Sequence, residues 1–240
     1  MRTKNSEKTK KDFIIHSCPE RRWYVDDFLI PSMTAQGIDK DSILVWDDTK
    51  RLGNLESFVK CMKWVSKHKN PSDGIWHLQD DIVISSDFDE VTKKNDEGIV
   101  NGFCNEHFDG GNANFIGRVP VQFAWRSFPC IRIPNSLAKE FADWYDTKIV
   151  PNNLLSDLRR DGKNDDSIWM AFITTEHPEM DCVNLLVNIV DHVDYLIGGS
   201  IVNKQRGEQR RGYRFEDTAV VAELEEKLRR CGVNGKHTGL

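Results

Sequence analysis

Ile75-Trp-His-Leu-Gln-Asp-Asp-Ile-Val83 decides the fold. A short apolar strand runs into two adjacent carboxylates, Asp80 and Asp81, and then turns apolar again. A buried carboxylate without a partner costs on the order of several kcal/mol, or shifts its pKa until it is neutral. A strand that ends in two of them therefore aims them at a cation, a ligand or a cleft. The plain alternative is a solvated turn, since Asp is a common turn residue. The flanking stretches decide between the two.

Upstream, Phe13-Ile-Ile-His16 reads as a buried strand, broken by the Pro-containing loop Ser17-Cys-Pro-Glu-Arg-Arg22. Trp23 to Gln36 has helical spacing, and Gly37 stops it. Ser42-Ile-Leu-Val-Trp46 is a second strand, and it too runs into carboxylates, Asp47 and Asp48. Leu55, Phe58, Val59, Met62 and Val65 recur at steps of three and four, which predicts an amphipathic helix over 54–67 with Asn54 as its cap. After the turn at Asn70-Pro-Ser-Asp-Gly74 comes the Asp80-Asp81 strand. Strand, helix, strand, helix, strand is the order of a largely parallel sheet covered by helices. In such sheets ligands bind beyond the carboxyl ends of the strands, where Asp47, Asp48, Asp80 and Asp81 all fall.

Downstream, 89–98 is polar, and strands are expected at 99–104, 121–125 and 130–133. Glu106 to Gly117, with Gly110-Gly111 inside it, reads as a loop over the site. Helices are expected over 136–145, capped by Asn135, and over 219–230. Asp165 and Asp166 open an apolar helix, where free backbone N–H groups favour carboxylates. Val183 to His192 then leads through Gly198-Gly199-Ser200 to Arg206, Arg210, Arg211 and Arg214, a combination suited to a phosphate end.

The chain of 240 residues is expected to form one catalytic-sized domain over 12–231, with a flexible basic lead-in over 1–11 and a loose tail over 232–240. No stretch is long enough to span a bilayer, and the lead-in lacks the apolar core of a secretory signal, so the expected location is the cytoplasm. Six cysteines, none in a Cys-x-x-Cys pair, argue against structural zinc and for buried free thiols. A net charge of -5 excludes a molecule that wraps nucleic acid by charge alone.

Taken together, these motifs resemble those of GT-A glycosyltransferases. Leu78-Gln-Asp-Asp-Ile82 resembles the DxD-type motif of that family, in the Leu-Glu-Asp-Asp form of lipopolysaccharide-type and collagen-galactosyl-type transferases. Asp165-Asp166 resembles its acidic helix facing the acceptor, and Val190-Asp-His192 its late segment whose histidine completes the metal site. The resemblance covers about 12–215 and implies a Rossmann-type mixed, mostly parallel α/β sheet flanked by helices. It also implies a nucleoside-diphosphate sugar donor, by family default a uridine diphosphate sugar, and Mn²⁺ or Mg²⁺ to neutralise the departing diphosphate. Asp81 and His192 then take the metal, and Gln79 stands where many relatives carry an Asp, removing one negative charge. Asp80 faces ribose or sugar, while His16, Ser17, Arg21 and Asp47 or Asp48 surround the base and its ribose. Arg206, Arg210 and Arg211 hold the diphosphate, and Asp166 or Asp165 takes the proton of an acceptor hydroxyl in an inverting transfer. The acceptor is a glycan or, with less in its favour, a hydroxylated DNA base, on which exposed aromatics such as Phe103, Phe108 and Trp125 would stack.

Other readings use the same residues. A nucleotidyltransferase or another metal-dependent phosphate-ester enzyme also hangs a cation on carboxylates at a sheet edge, although Ser17-Cys-Pro-Glu-Arg-Arg22 has no glycine for a phosphate loop. A carbohydrate- or nucleic-acid-binding module without turnover would use the aromatics and late arginines. Paired carboxylates at three places favour an enzyme.

Overall fold

The structure, a computed structural model, describes residues 12–70, 73–103, 117–120, 128–152, 164–199 and 215–233. Among them seven strands form one sheet: β1 (Phe13–Ser17), β2 (Ile43–Asp47), β3 (Gly74–Gln79), β5 (Ile99–Asn101), β6 (Gly117–Pro120), β7 (Cys130–Pro134) and β8 (Asp181–Asn184). Their spatial order is β2-β1-β3-β7-β5-β8-β6. Strands β1, β2, β3, β5 and β8 run one way, while β7 and β6 run against them. The chain is thus mixed α/β with most strands pointing one way, although only three of the six neighbouring pairs are parallel.

Helices cover both faces. Strand β1 shows why: Phe13 and Ile15 point to one face and Ile14 to the other, as alternation along a strand requires. On the Ile14 side lie α2 (Asn54–His68), α4 (135–152) and α5 (Asp165–Glu176), with Phe58, Phe141, Trp169 and Phe172 in their shared core. On the other side lie α1 (22–35), α3 (Phe88–Lys94) and α6 (Thr218–Arg230). A second, two-stranded sheet packs there too, pairing β4 (Ile82–Ile84) with β9 (Val190–His192). No helix among the described residues is long and apolar enough to cross a membrane.

Several expectations are corrected. The strand at 75–79 does end before Asp80-Asp81, but Ile82–Ile84 forms a strand of its own that leaves the main sheet to pair with β9. The polar stretch 89–98 contains helix α3, held by Phe88 and Thr92 on its buried side and by Lys93–Asp89 and Lys94–Glu90 pairs on its exposed one. Asn54 and Asn135 do not cap their helices; each lies one residue inside and sends its side-chain amide elsewhere, Asn54 to Asp165 and Asn135 to Asn70 O. The strand expected at 121–125 and the loop residues up to 116 lie outside the described residues.

Two helices widen where the sequence places a proline. In α1 the turn Val25–Leu29 is a π-turn, with Ile30 N–H donating to Val25 O, and Pro31 follows. In α4 the turn Tyr145–Ile149 does the same, with Val150 N–H donating to Tyr145 O before Pro151. A proline inside a helix lacks its own N–H and presses on the carbonyl four residues back, and a wider turn relieves both.

Candidate active site

The order β2-β1-β3 places the site. The chain leaves β1 toward β2 on one side and returns to β3 on the other, so the loops after β1 and β3 lie side by side at the carboxyl ends of two neighbouring parallel strands. Asp80 and Asp81 follow β3 there. The loop after β1 is a tight turn in which Arg21 N–H donates to Cys18 O, with Pro19 setting its first corner. That turn carries Arg21 back over the carboxylates.

Arg21 is buried and makes three contacts. Its Nη1 donates to Asp80 Oδ1 at 3.1 Å and to Asp81 Oδ2, while Nη2 donates to Gly199 O at 2.7 Å. Burial works against its charge, but the Asp81 and Asp80 carboxylates outweigh that and hold it firmly protonated. Asp80 also accepts from Cys18 N–H at 3.1 Å. Burial pushes the Asp80 carboxyl up, whereas at Asp81 His192 and Arg21 overcome burial and hold the carboxyl below its usual range. The neighbouring Cys18 thiol is pushed up to about 12 by burial and by Asp80, so it is no nucleophile near neutral pH.

Strand β9 brings in the last partners. Ile82 pairs with His192, and Val193 N–H donates to Asp81 O at 2.8 Å, which ties the end of β9 to the carboxylate pair. His192 Nε2 then lies 3.5 Å from Asp81 Oδ1, and its Nδ1 lies 3.3 Å from Asp194 Oδ1. Neither approach is a hydrogen bond: among the described residues Asp81 Oδ1 and His192 Nδ1 are both buried without a hydrogen-bond partner. Orphaned polar atoms of this kind are expensive unless an ion or ligand completes them. Asp81, His192 and Asp194 each offer one ligand atom within 4.8 Å of the others, a spread that suits a divalent cation. Beyond them Gly198 and Gly199 adopt φ of +109° and +86°, where a side chain would be strained, so this turn needs both glycines.

The acidic helix start sits on the same edge. Asp48 accepts from Leu52 N–H and Gly53 N–H and so shapes the turn into α2. The next residue, Asn54, donates to Asp165 Oδ1 at 2.7 Å. Asp165 also accepts from Asp166 N–H, yet its Oδ2 is buried without a hydrogen-bond partner. Burial and the Asp166 charge push its carboxyl up to about 7. Asp166 itself is only half-buried and accepts from Ser167.

The remaining expected residues are placed as follows. His16 turns into the packed face, with Nε2 2.8 Å from Ser57 Oγ and Nδ1 3.4 Å from His77, and burial lowers its pKa to about 4. Ser17 is buried at the end of β1 beside Asp47, which faces Arg22 at 3.7 Å. Gln79 closes β3 and is half-buried. Phe103 is buried, its ring 6.3 Å from that of His192, whereas Phe108, Trp125, Arg206, Arg210 and Arg211 lie outside the described residues. Asp194 was not among the expected ligands; an Asp two residues past a strand-ending His and four before Gly198-Gly199 was its only signal.

No family model matches the chain, and no curated protein matches it. Among solved structures it is similar to the galactosyltransferase LgtC, described in complex with donor and acceptor sugar analogs. The identity is 10%, the TM-score 0.44, and the match covers 91% of this chain and 95% of that one. A likeness that loose does not bear on activity, and the chemistry has to come from the residues themselves.

Proposed function

We propose that the chain is a glycosyltransferase of GT-A type, moving a sugar from a nucleoside-diphosphate sugar, by default a uridine diphosphate sugar, to a hydroxyl acceptor. The observation that carries this reading is the buried Asp81–His192 pair just beyond the carboxyl end of β3, with Asp81 Oδ1 lacking a hydrogen-bond partner among the described residues. Asp81 and His192 would hold Mn²⁺ or Mg²⁺, which supplies charge neutralisation to a departing diphosphate. The chain's own residues do the rest. Arg21 fixes the two carboxylates against each other and against the Gly198-Gly199 turn. Of the acidic pair at the start of α5, Asp166 is the one solvent reaches, so it is the candidate to take the acceptor proton in an inverting transfer. Asp165, clamped by Asn54, holds that helix start in place.

A thermal-shift screen of UDP, GDP, CDP and their sugars, each with and without Mn²⁺, tests the reading. One nucleoside diphosphate should stabilise the wild type in a metal-dependent way, and Asp81→Ala should abolish that shift. Saturation to a hundred times Kd corresponds to about 2.7 kcal/mol of stabilisation. No shift with any nucleotide would leave a binding module without turnover as the better description.

A further inference from the structure

Gln79, at the end of β3, brings no carboxylate to the site, and the two that follow it are already partly used. Asp81 Oδ2 is taken by Arg21, whose guanidinium also draws on Asp80, so this trio keeps only one negative charge in excess. A histidine ligates a metal through its neutral imidazole and so adds none once the ion is bound. A hard divalent cation is held chiefly by carboxylate oxygens, and one shared carboxylate is a weak site for it.

We infer that Asp194 supplies a second carboxylate as a third protein ligand to the cation, reaching the site from β9 instead of β3. This rests on the cation reading above and deepens it. Asp194 is 2% exposed, buried as deeply as His192. Its backbone is pinned: the preceding residue, Val193, bonds to Asp81 O, and the Asp194 carbonyl accepts from Ile197 N–H at 3.2 Å and Gly199 N–H at 2.6 Å. The side chain therefore has little freedom to leave the cluster. Two donor atoms at its centre, Asp81 Oδ1 and His192 Nδ1, are buried without a hydrogen-bond partner, and Asp194 Oδ1 lies 3.3 Å from the second of them. An ion in this cluster can take one ligand atom from each of the three residues, and Asp194 adds a second carboxylate to that of Asp81 in the set.

The test uses the full chain and Mn²⁺ alone, with binding followed by loss of the free-ion EPR signal. Wild type should bind, Asp81→Ala should lose binding, and the near-isosteric Asp194→Asn should weaken it by at least about tenfold. Asp194→Asn binding as tightly as wild type, while Asp81→Ala fails, overturns the role of Asp194 and leaves the cation reading standing. Absence of binding by wild type removes both. Crystals of the wild type soaked in Mn²⁺ give an answer that depends on no variant folding. An anomalous peak bonded to Asp81, His192 and Asp194 supports the assignment; a peak bonded to the first two alone overturns it.

Discussion

Asp165 is sealed behind Asn54 and Asp166, and that seal has a consequence for stability. Its carboxyl is pushed up to about 7, while in the unfolded chain it titrates near 3.8. Between those values the folded state binds more protons than the unfolded one, so this residue makes the protein less stable as pH rises through the window. Asp165→Asn, which keeps the oxygen that accepts from Asn54, should raise the melting temperature at pH 8. The gain should shrink to nothing below about pH 4, and at about 1.4 kcal/mol per pKa unit its ceiling is about 4 kcal/mol. Melts at pH 4, 6 and 8 check this, and a gain independent of pH would refute it. At this scale the sequence was most informative where a residue type clashed with its surroundings. Asp80, Asp81 and His192 were legible because carboxylates and a histidine interrupt apolar strands. Arg21 was legible as a site residue, yet its partners were not, because a loop arginine gives no sign of which acids the fold will bring 59 and 60 positions away. Asp194 was lost for the opposite reason: an Asp a few residues ahead of Gly-Gly looks like any turn.

Elements were legible wherever one face had to be buried. The steps of three and four from Leu55 to Val65 predicted α2 nearly to its ends, and Phe58 shows what that face does. Fully buried, it touches His77, Phe128, Phe141 and Trp169, and so joins the sheet to α4 and α5. Phe58→Ala should cost about 3–5 kcal/mol in chemical denaturation, the usual range for an aromatic removed from a packed core. A loss below 1 kcal/mol would show that α4 and α5 close over the gap. Helix α3 was harder to see because its seven residues hold only one buried face of two side chains amid charges. The end of β3 at Asp80-Asp81 was legible, but not that the apolar residues after it start a new strand. Only the pairing with β9, from more than a hundred residues downstream, assigns Ile82–Ile84 to a different sheet. The π-turns were written in Pro31 and Pro151, but a proline can also end a helix, and only the packing of Ile30 and Ile149 shows that these helices continue.

For the molecule as a whole, direction mattered more than location. The strand–helix alternation to β3 foretold the parallel half of the sheet, and the placing of Asp47 and Asp80 at the carboxyl ends of its strands followed from it. The antiparallel entries of β7 and β6 did not follow, because nothing local records the direction in which a strand re-enters a sheet. The contact from Arg21 to Gly199 spans 178 positions, which carries the matter into protein synthesis. At ribosomal speeds of about 5–20 residues per second, Arg21 waits roughly 10–35 seconds before Gly199 exists. Throughout that interval Asp80 and Asp81 lack their cover from the β9 side, and β4 has no described partner. A nascent chain ending before residue 190 should therefore bind a chaperone or aggregate where the full chain does not, which a release assay on stalled ribosomes would reveal. Two acids placed early in the chain thus wait for strand β9 and the Gly198-Gly199 turn, and the nascent chain has to be sheltered until that late segment is made.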